Sequence, residues 1–295
     1  MRTVLILSLV GLAAITATAA GPGSAQATGR VSVVAAENVY GDIATQIGGS
    51  RVHVTSILSN PNADPHLYEP GTQNGLAVAE AQLVIQNGLG YDAFMQRLEG
   101  ASPSKHRVVV TIADALGIRG QSANPHLWYD IPKLDAIVAA VANGLSQVDP
   151  ASKAVYASGA RHFLARCTAL RAEVQSIRSR FAGTPVAYTE PVPGYLLTAA
   201  HLRNLAPSSF TRAIEDGSEP NPAAVAAMTG LIQGRRIKAL LYNSQTISPI
   251  TERIRAAAVA HQIPVVGVSE TLPPHLDYQQ WQLQQARALA TALAR

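Results

Sequence analysis

"DPASKAVYASGARHFLARCTALRAEVQSIRSRFAG", residues 149–183, is the stretch around which the rest of the chain arranges itself. Asp149 is a residue type that caps a helix N-terminus, Pro150 suits a first turn, and Gly183 suits the position just past a helix end. Between them Tyr156, Ala160, Phe163, Cys167, Leu170, Val174, Ile177 and Phe181 recur at alternating spacings of four and three. That is one apolar stripe on one unbroken helix. About 30 residues at 1.5 Å each span roughly 45 Å, enough for a rigid rod to brace two lobes. Cys167, the only cysteine in the chain, lies in the stripe and reads as a buried core thiol.

On both sides of this helix short β-rich runs alternate with helical segments. Before it come "VSVVAA" (31–36), "VHVTSI" (52–57), "LVIQ" (83–86) and "VVVTI" (108–112), and after it "PVAYT" (185–189), "IKALLY" (237–242) and "PVVGV" (264–268). The alternation predicts an α/β protein of two lobes on mostly parallel sheets. The expected division is a first lobe over 28–148, the linking helix over 149–182 and a second lobe over 183–295.

Composition excludes several classes. With 47% hydrophobic and 14% charged residues the chain is globular. Its net charge of +4 comes from scattered Lys and Arg, with no basic run to mark a nucleic-acid surface. Arg2 precedes the apolar "TVLILSLVGLAAITATAA" and then small-residue "GPGSAQATG", the pattern of a signal peptide over 1–27 with cleavage near Ala19 or Ala27. An apolar run of about 18 residues could also stay as an anchor, but the small residues that follow favour cleavage. No cysteine stands near that point to carry a lipid, so the expectation is a periplasmic protein that is not a lipoprotein.

In open α/β sheets ligands collect beyond the carboxyl ends of the strands. Four residues there can hold a metal: His66 in "NADPHLYEP", His126 in "NPHLWYD", Glu190 in "YTEPVPGY" and Glu270 in "GVSETLPP". Each has a proline beside it or within three residues, which keeps the backbone extended and stiff. Two imidazoles and two carboxylates suit a divalent transition ion and neutralise its charge. The histidines come from one lobe and the glutamates from the other, so the ion would sit between lobes. His275 or Asp277 in "TLPPHLDYQQW" could replace Glu270 as the fourth ligand. Asp64 and Glu69 could orient His66 or be solvated, Tyr68, Trp128 and Tyr129 could wall the site or be core, and the other histidines read as surface or core residues.

The chain resembles the zinc/manganese cluster of solute-binding proteins, the extracytoplasmic receptors of ABC-type metal uptake systems. "NPNADPHLYEP", "AEAQLVIQNGLGYD", "NPHLWYD", "TEPVPGYLL", "SEPNPAAV" and "VVGVSETLPP" carry the resemblance, in the family's order. It implies a monomer that binds one ion of Mn²⁺, Zn²⁺ or Fe²⁺ through His66, His126, Glu190 and Glu270, delivers it to a membrane permease, and is not an enzyme. Two departures stand out: Glu270 replaces the usual aspartate, and "LGIRGQSANPH" lacks the histidine-rich loop common among zinc importers. The latter, with Glu in place of His as third ligand, points toward manganese or iron, which favour oxygen donors. The rival classes are an exported metallohydrolase, although no H-E-x-x-H or G-x-S-x-G motif is present, and a metal-binding adhesin or chaperone on the same fold.

Overall fold

The computed structural model describes residues 29–62, 64–120 and 122–295; the signal-peptide reading of 1–27 lies outside them. The first lobe contains β1 (Val31–Glu37), α1 (Asn38–Gly48), β2 (Val52–Leu58), α2 (Thr72–Glu80), β3 (Leu83–Gln86), α3 (Phe94–Ala101), β4 (Val108–Thr111), α4 (Ile112–Ala115) and α5 (Leu134–Val148). Then follow α6 (Lys153–Arg166) and α7 (Thr168–Phe181). The second lobe contains β5 (Pro185–Tyr188), α8 (Gly194–Ala199), β6 (Arg203–Asn204), α9 (Ser208–Glu215), α10 (Pro222–Gln233), β7 (Leu240–Asn243), α11 (Pro249–Ala260), β8 (Val265–Val268) and α12 (Tyr278–Leu293).

Both sheets are parallel and share one strand order, β2-β1-β3-β4 in the first lobe and β6-β5-β7-β8 in the second. The order reverses beside β1 and beside β5, which opens a crevice at the carboxyl end of each sheet. Val33, Ala35, Leu83 and Ile85 are fully buried, as strands covered on both faces require.

The long helix is present but bent at Cys167. There the backbone N–H bonds to the Leu164 carbonyl at 3.1 Å, a tighter turn than the α-helical pattern. The Cys167 thiol donates to the Phe163 carbonyl at 3.4 Å, and the Thr168 hydroxyl donates to Ala165 at 2.7 Å. Side chains that bond back to carbonyls of the preceding turn bend a helix in this way. The apolar stripe survives the bend: Tyr156, Phe163, Cys167, Leu170, Val174 and Ile177 are all buried. Segment α6 packs on α1 and α5, and α7 packs on α8 and α12, so the two segments brace different lobes. Gly159 permits the closest approach, because a Cβ there would lie 2.2 Å from the Ile47 carbonyl oxygen.

The lobes share one core. A single cluster of buried side chains runs from Val31 through Trp128, Phe163 and Ile177 to Leu293. Helix α12 extends this union: the Tyr278 hydroxyl donates to the Trp128 carbonyl at 2.7 Å, and its N–H to Asp42 at 3.0 Å. Among the described residues no helix is long and apolar enough to cross a membrane.

Candidate metal centre

The two histidines are presented by the same local device. In Asp64-Pro65-His66 and in Asn124-Pro125-His126 the first side chain accepts a hydrogen bond from the histidine N–H, at 2.9 and 3.0 Å. An Asx side chain that caps the backbone two residues on, with proline fixing φ between, is a stiff turn. Asn124 does more, since its Oδ1 also lies 2.8 Å from His126 Nδ1. A carbonyl oxygen can only accept, so Nδ1 carries a proton, which leaves Nε2, 3.1 Å from Glu270 Oε2, as the nitrogen that can offer a lone pair once an ion enters. Asp64 makes the backbone bond at His66 but no hydrogen bond to its ring.

The glutamates come from the opposite lobe and point at these rings. His66 Nε2 is 3.0 Å from Glu190 Oε1 and 3.6 Å from Glu270 Oε2, and His126 Nε2 is 3.1 Å from Glu270 Oε2. His126, Glu190 and Glu270 are at most 1% exposed, and only His66 opens to solvent. Donor atoms of His66, His126 and Glu270 all lie within 4.8 Å of one another, and Glu190 reaches this group through His66. His66 Nε2 and Glu190 Oε1 approach closely yet make no aligned hydrogen bond, to each other or to any other group. Buried polar atoms without hydrogen-bond partners carry a desolvation cost, and a cation placed between them would remove it.

Electrostatics follow from the burial. Desolvation alone would push the His66 imidazole down, but the carboxylates of Glu190, Glu270 and Asp64 outweigh it and hold the pKa up at about 9. Burial alone would raise Glu270, but the imidazoles of His126 and His66 and the amide of Asn243 outweigh it and hold it below the usual carboxylate range. At neutral pH a proton on His66 therefore partly fills the electrostatic place of a cation.

Several supporting residues come from segments that the sequence reading did not single out for the site. Asn243, at the end of β7, donates through Nδ2 to Glu190 Oε2 at 2.5 Å and to Glu270 Oε1 at 2.7 Å. Gln245 Oε1 accepts from the Glu270 and Thr271 N–H groups at 2.6 and 3.0 Å. Tyr91 donates to Glu270 Oε2 across the cleft at 2.8 Å and packs edgewise on both histidines and Trp128. It sits just past Gly88, Leu89 and Gly90, all at positive φ, a backbone path that glycine adopts without strain. The position of "NSQT" (243–246) at the end of the β7 run was the available signal, because crevice residues follow strands.

Other expectations divide. Trp128 walls the site and stacks edgewise on His126. Tyr129 instead supports the Glu270 loop, donating to the Ser269 carbonyl at 2.6 Å, and Tyr68 packs on Phe94. His275 is exposed, and Asp277 caps α12 and pairs with Arg166. Glu69 and the histidines at 53, 106, 162 and 201 are exposed, and His261 is half-buried. Glu215 on α9 joins His66 in lining one cavity of about 710 Å³ that opens the site to solvent, and burial raises the Glu215 carboxyl.

The profile of one family, zinc-uptake complex component A, periplasmic, matches residues 33–292. The chain belongs to this family. It is 23% identical over 257 residues to the manganese ABC transporter substrate-binding lipoprotein scaA of Streptococcus gordonii, covering 81% of this chain and 80% of that protein. It is 28% identical over 161 residues to the manganese-binding lipoprotein MntA of Halalkalibacterium halodurans, covering 54% and 53%. Among solved structures, the periplasmic zinc-binding protein TroA of Treponema pallidum superposes with a TM-score of 0.75 at 20% identity, over 90% of this chain and all (100%) of that one. FpvC of Pseudomonas aeruginosa in complex with Mn²⁺ gives 0.75 at 20%, over 90% and 98%. These likenesses show a shared two-lobed fold.

Proposed function

We propose that this family member captures one divalent transition-metal ion outside the cytoplasm and delivers it to an ABC-type membrane permease. The observation that carries the proposal is the convergence of His66 and His126 from one lobe with Glu190 and Glu270 from the other, with His66 Nε2 and Glu190 Oε1 left without hydrogen-bond partners. Two imidazoles and two carboxylates give Mn²⁺, Zn²⁺ or Fe²⁺ a neutralised, half-nitrogen donor set, which is poor for Mg²⁺ and Ca²⁺. The names of scaA, MntA and the Mn²⁺ complex of FpvC support manganese, and that of TroA supports zinc.

The protein works as a monomeric receptor and not as a hydrolase: all four donors serve to hold cargo. It acts outside the cytoplasm after signal-peptide removal, and Cys167 is buried in the bent helix. The relatives scaA and MntA are lipoproteins by name. The intact mass of the exported protein shows whether it carries a lipid as they do. The function is tested by melting chelator-stripped protein with each ion. An ion at a hundredfold excess over Kd stabilises by roughly 2.7 kcal/mol, so Zn²⁺ and Mn²⁺ should raise Tm clearly and Ca²⁺ little. Equal stabilisation by Ca²⁺, or none by any transition ion, would overturn the proposal.

A further inference from the structure

Asn243 touches both carboxylates of the site through one nitrogen. Its Nδ2 holds Glu190 Oε2 and Glu270 Oε1, and its Oδ1 accepts from the Gln245 N–H at 3.1 Å. That backbone bond fixes the amide's orientation, because a reversed amide would aim its oxygen at two carboxylates. The side chain is 1% exposed and cannot swing into solvent.

Each glutamate is thereby turned so that one oxygen faces the amide and the other faces the histidines. For Glu190 this is Oε1, 3.0 Å from His66 Nε2. For Glu270 it is Oε2, 3.1 Å from His126 Nε2, an oxygen that also accepts from the Tyr91 hydroxyl at 2.8 Å. A hydrogen-bonded carboxylate oxygen keeps a lone pair for a metal, but to bring both oxygens onto one ion either glutamate would have to turn its carboxylate out of the geometry that its charge-assisted bond to Asn243 sets. Four protein donors, two nitrogen and two oxygen, suit the tetrahedral preference of Zn²⁺, whereas ions that favour higher coordination numbers gain from bidentate carboxylates.

Resting on the metal-capture reading above, we infer that Asn243 is the selectivity-determining residue of the site: by holding both glutamates as one-oxygen ligands it biases the centre toward a four-coordinate ion, Zn²⁺, and against Mn²⁺. This reverses the lean toward manganese or iron that Glu190 as third ligand and the missing histidine-rich loop suggest in the sequence. The residues contain the oxygen donors manganese favours, and the amide withholds half of them.

The test is Co²⁺ absorption together with Zn²⁺ and Mn²⁺ competition titrations on the mature protein and on Asn243→Ala, with Asn243→Ser as a smaller lesion that can still hold one carboxylate. Wild type should give the intense visible bands of tetrahedral Co²⁺. Asn243→Ala should weaken them toward the five- or six-coordinate pattern and lower the Zn²⁺:Mn²⁺ affinity ratio at least about tenfold, in the range typical of a lost outer partner. Asn243→Ser should fall between. Weak six-coordinate bands in wild type would overturn the inference without touching metal capture, and this holds even if neither variant folds. Folded variants with unchanged bands and ratio would also overturn it. No Co²⁺ uptake by wild type would overturn the capture reading itself, and this inference with it.

Discussion

The two lobes repeat one strand order yet hold their candidate metal donors in opposite ways. The first lobe offers imidazole rings, each set by an Asx-Pro-His turn complete within three residues. The second offers buried carboxylates, and these are held by residues far away in sequence: Asn243 for Glu190 and Glu270, Gln245 for the Glu270 backbone, and Tyr91 from the other lobe. The difference is one of desolvation. An imidazole can give up its proton to an entering ion and needs only direction, while a buried carboxylate needs its charge answered by donors, and the second lobe recruits them from wherever the fold brings strand ends together. The first lobe's half of the site is local, and the second lobe's half is made by the fold.

The largest effect should therefore come from the residue that both halves share. Glu270 faces His126 and His66, so Glu270→Ala should weaken Zn²⁺ binding at least about 100-fold by competition titration, above the 10–100-fold range of an outer partner. Asn124→Ala removes no candidate ligand but takes away the bond to the His126 ring, the cap on the His126 N–H and the bond to the Pro191 carbonyl, and should fall inside that range. If Asn124→Ala costs as much as Glu270→Ala, the local half carries more than this account allows.

A second, intermediate effect concerns pH. His66 is held up at about 9 in the metal-free protein, so at pH 7 it is protonated and an entering ion must displace that proton. Affinity should rise by up to roughly tenfold per unit from pH 6.5 to 9 and flatten above, and calorimetry in buffers of different ionisation enthalpy should count close to one proton released at pH 7. The metal-free protein should respond with the opposite sign. A histidine whose folded pKa lies above its unfolded value of about 6.5 stabilises fully below 6.5, and that contribution is lost as pH rises through 9. His66→Gln should flatten both trends. A trend centred at 6.5 instead would mean the second lobe's carboxylates leave the ring unperturbed.

The smallest effect should be on shape. One core cluster runs through both lobes, and α6, α7 and α12 tie them together, so scattering profiles with and without metal should nearly superimpose. A large compaction on binding would show that the bent helix is a hinge and not a strut.

What was legible in the sequence follows the same division. Alternating β-rich runs and the stripe from Tyr156 to Phe181 disclose two parallel-sheet lobes and their brace, because burial imposes those periods directly. The bend at Cys167 is invisible to them, since a thiol bonding back to Phe163 leaves the stripe intact. His66 and His126 are legible because their turns are written in adjacent residues. Asn243 and Tyr91 are not, because one polar residue after a strand looks like any other until the lobes are brought together.

The central claim is that one ion sits between the lobes on His66, His126, Glu190 and Glu270. It is tested most directly by a crystal structure of the zinc-loaded protein with anomalous data collected at the zinc edge. The account predicts a single peak in the cleft about 2.0–2.2 Å from His66 Nε2, His126 Nε2, Glu190 Oε1 and Glu270 Oε2. A peak outside the cleft, or one bonded to Glu215 with Glu190 left aside, would contradict it.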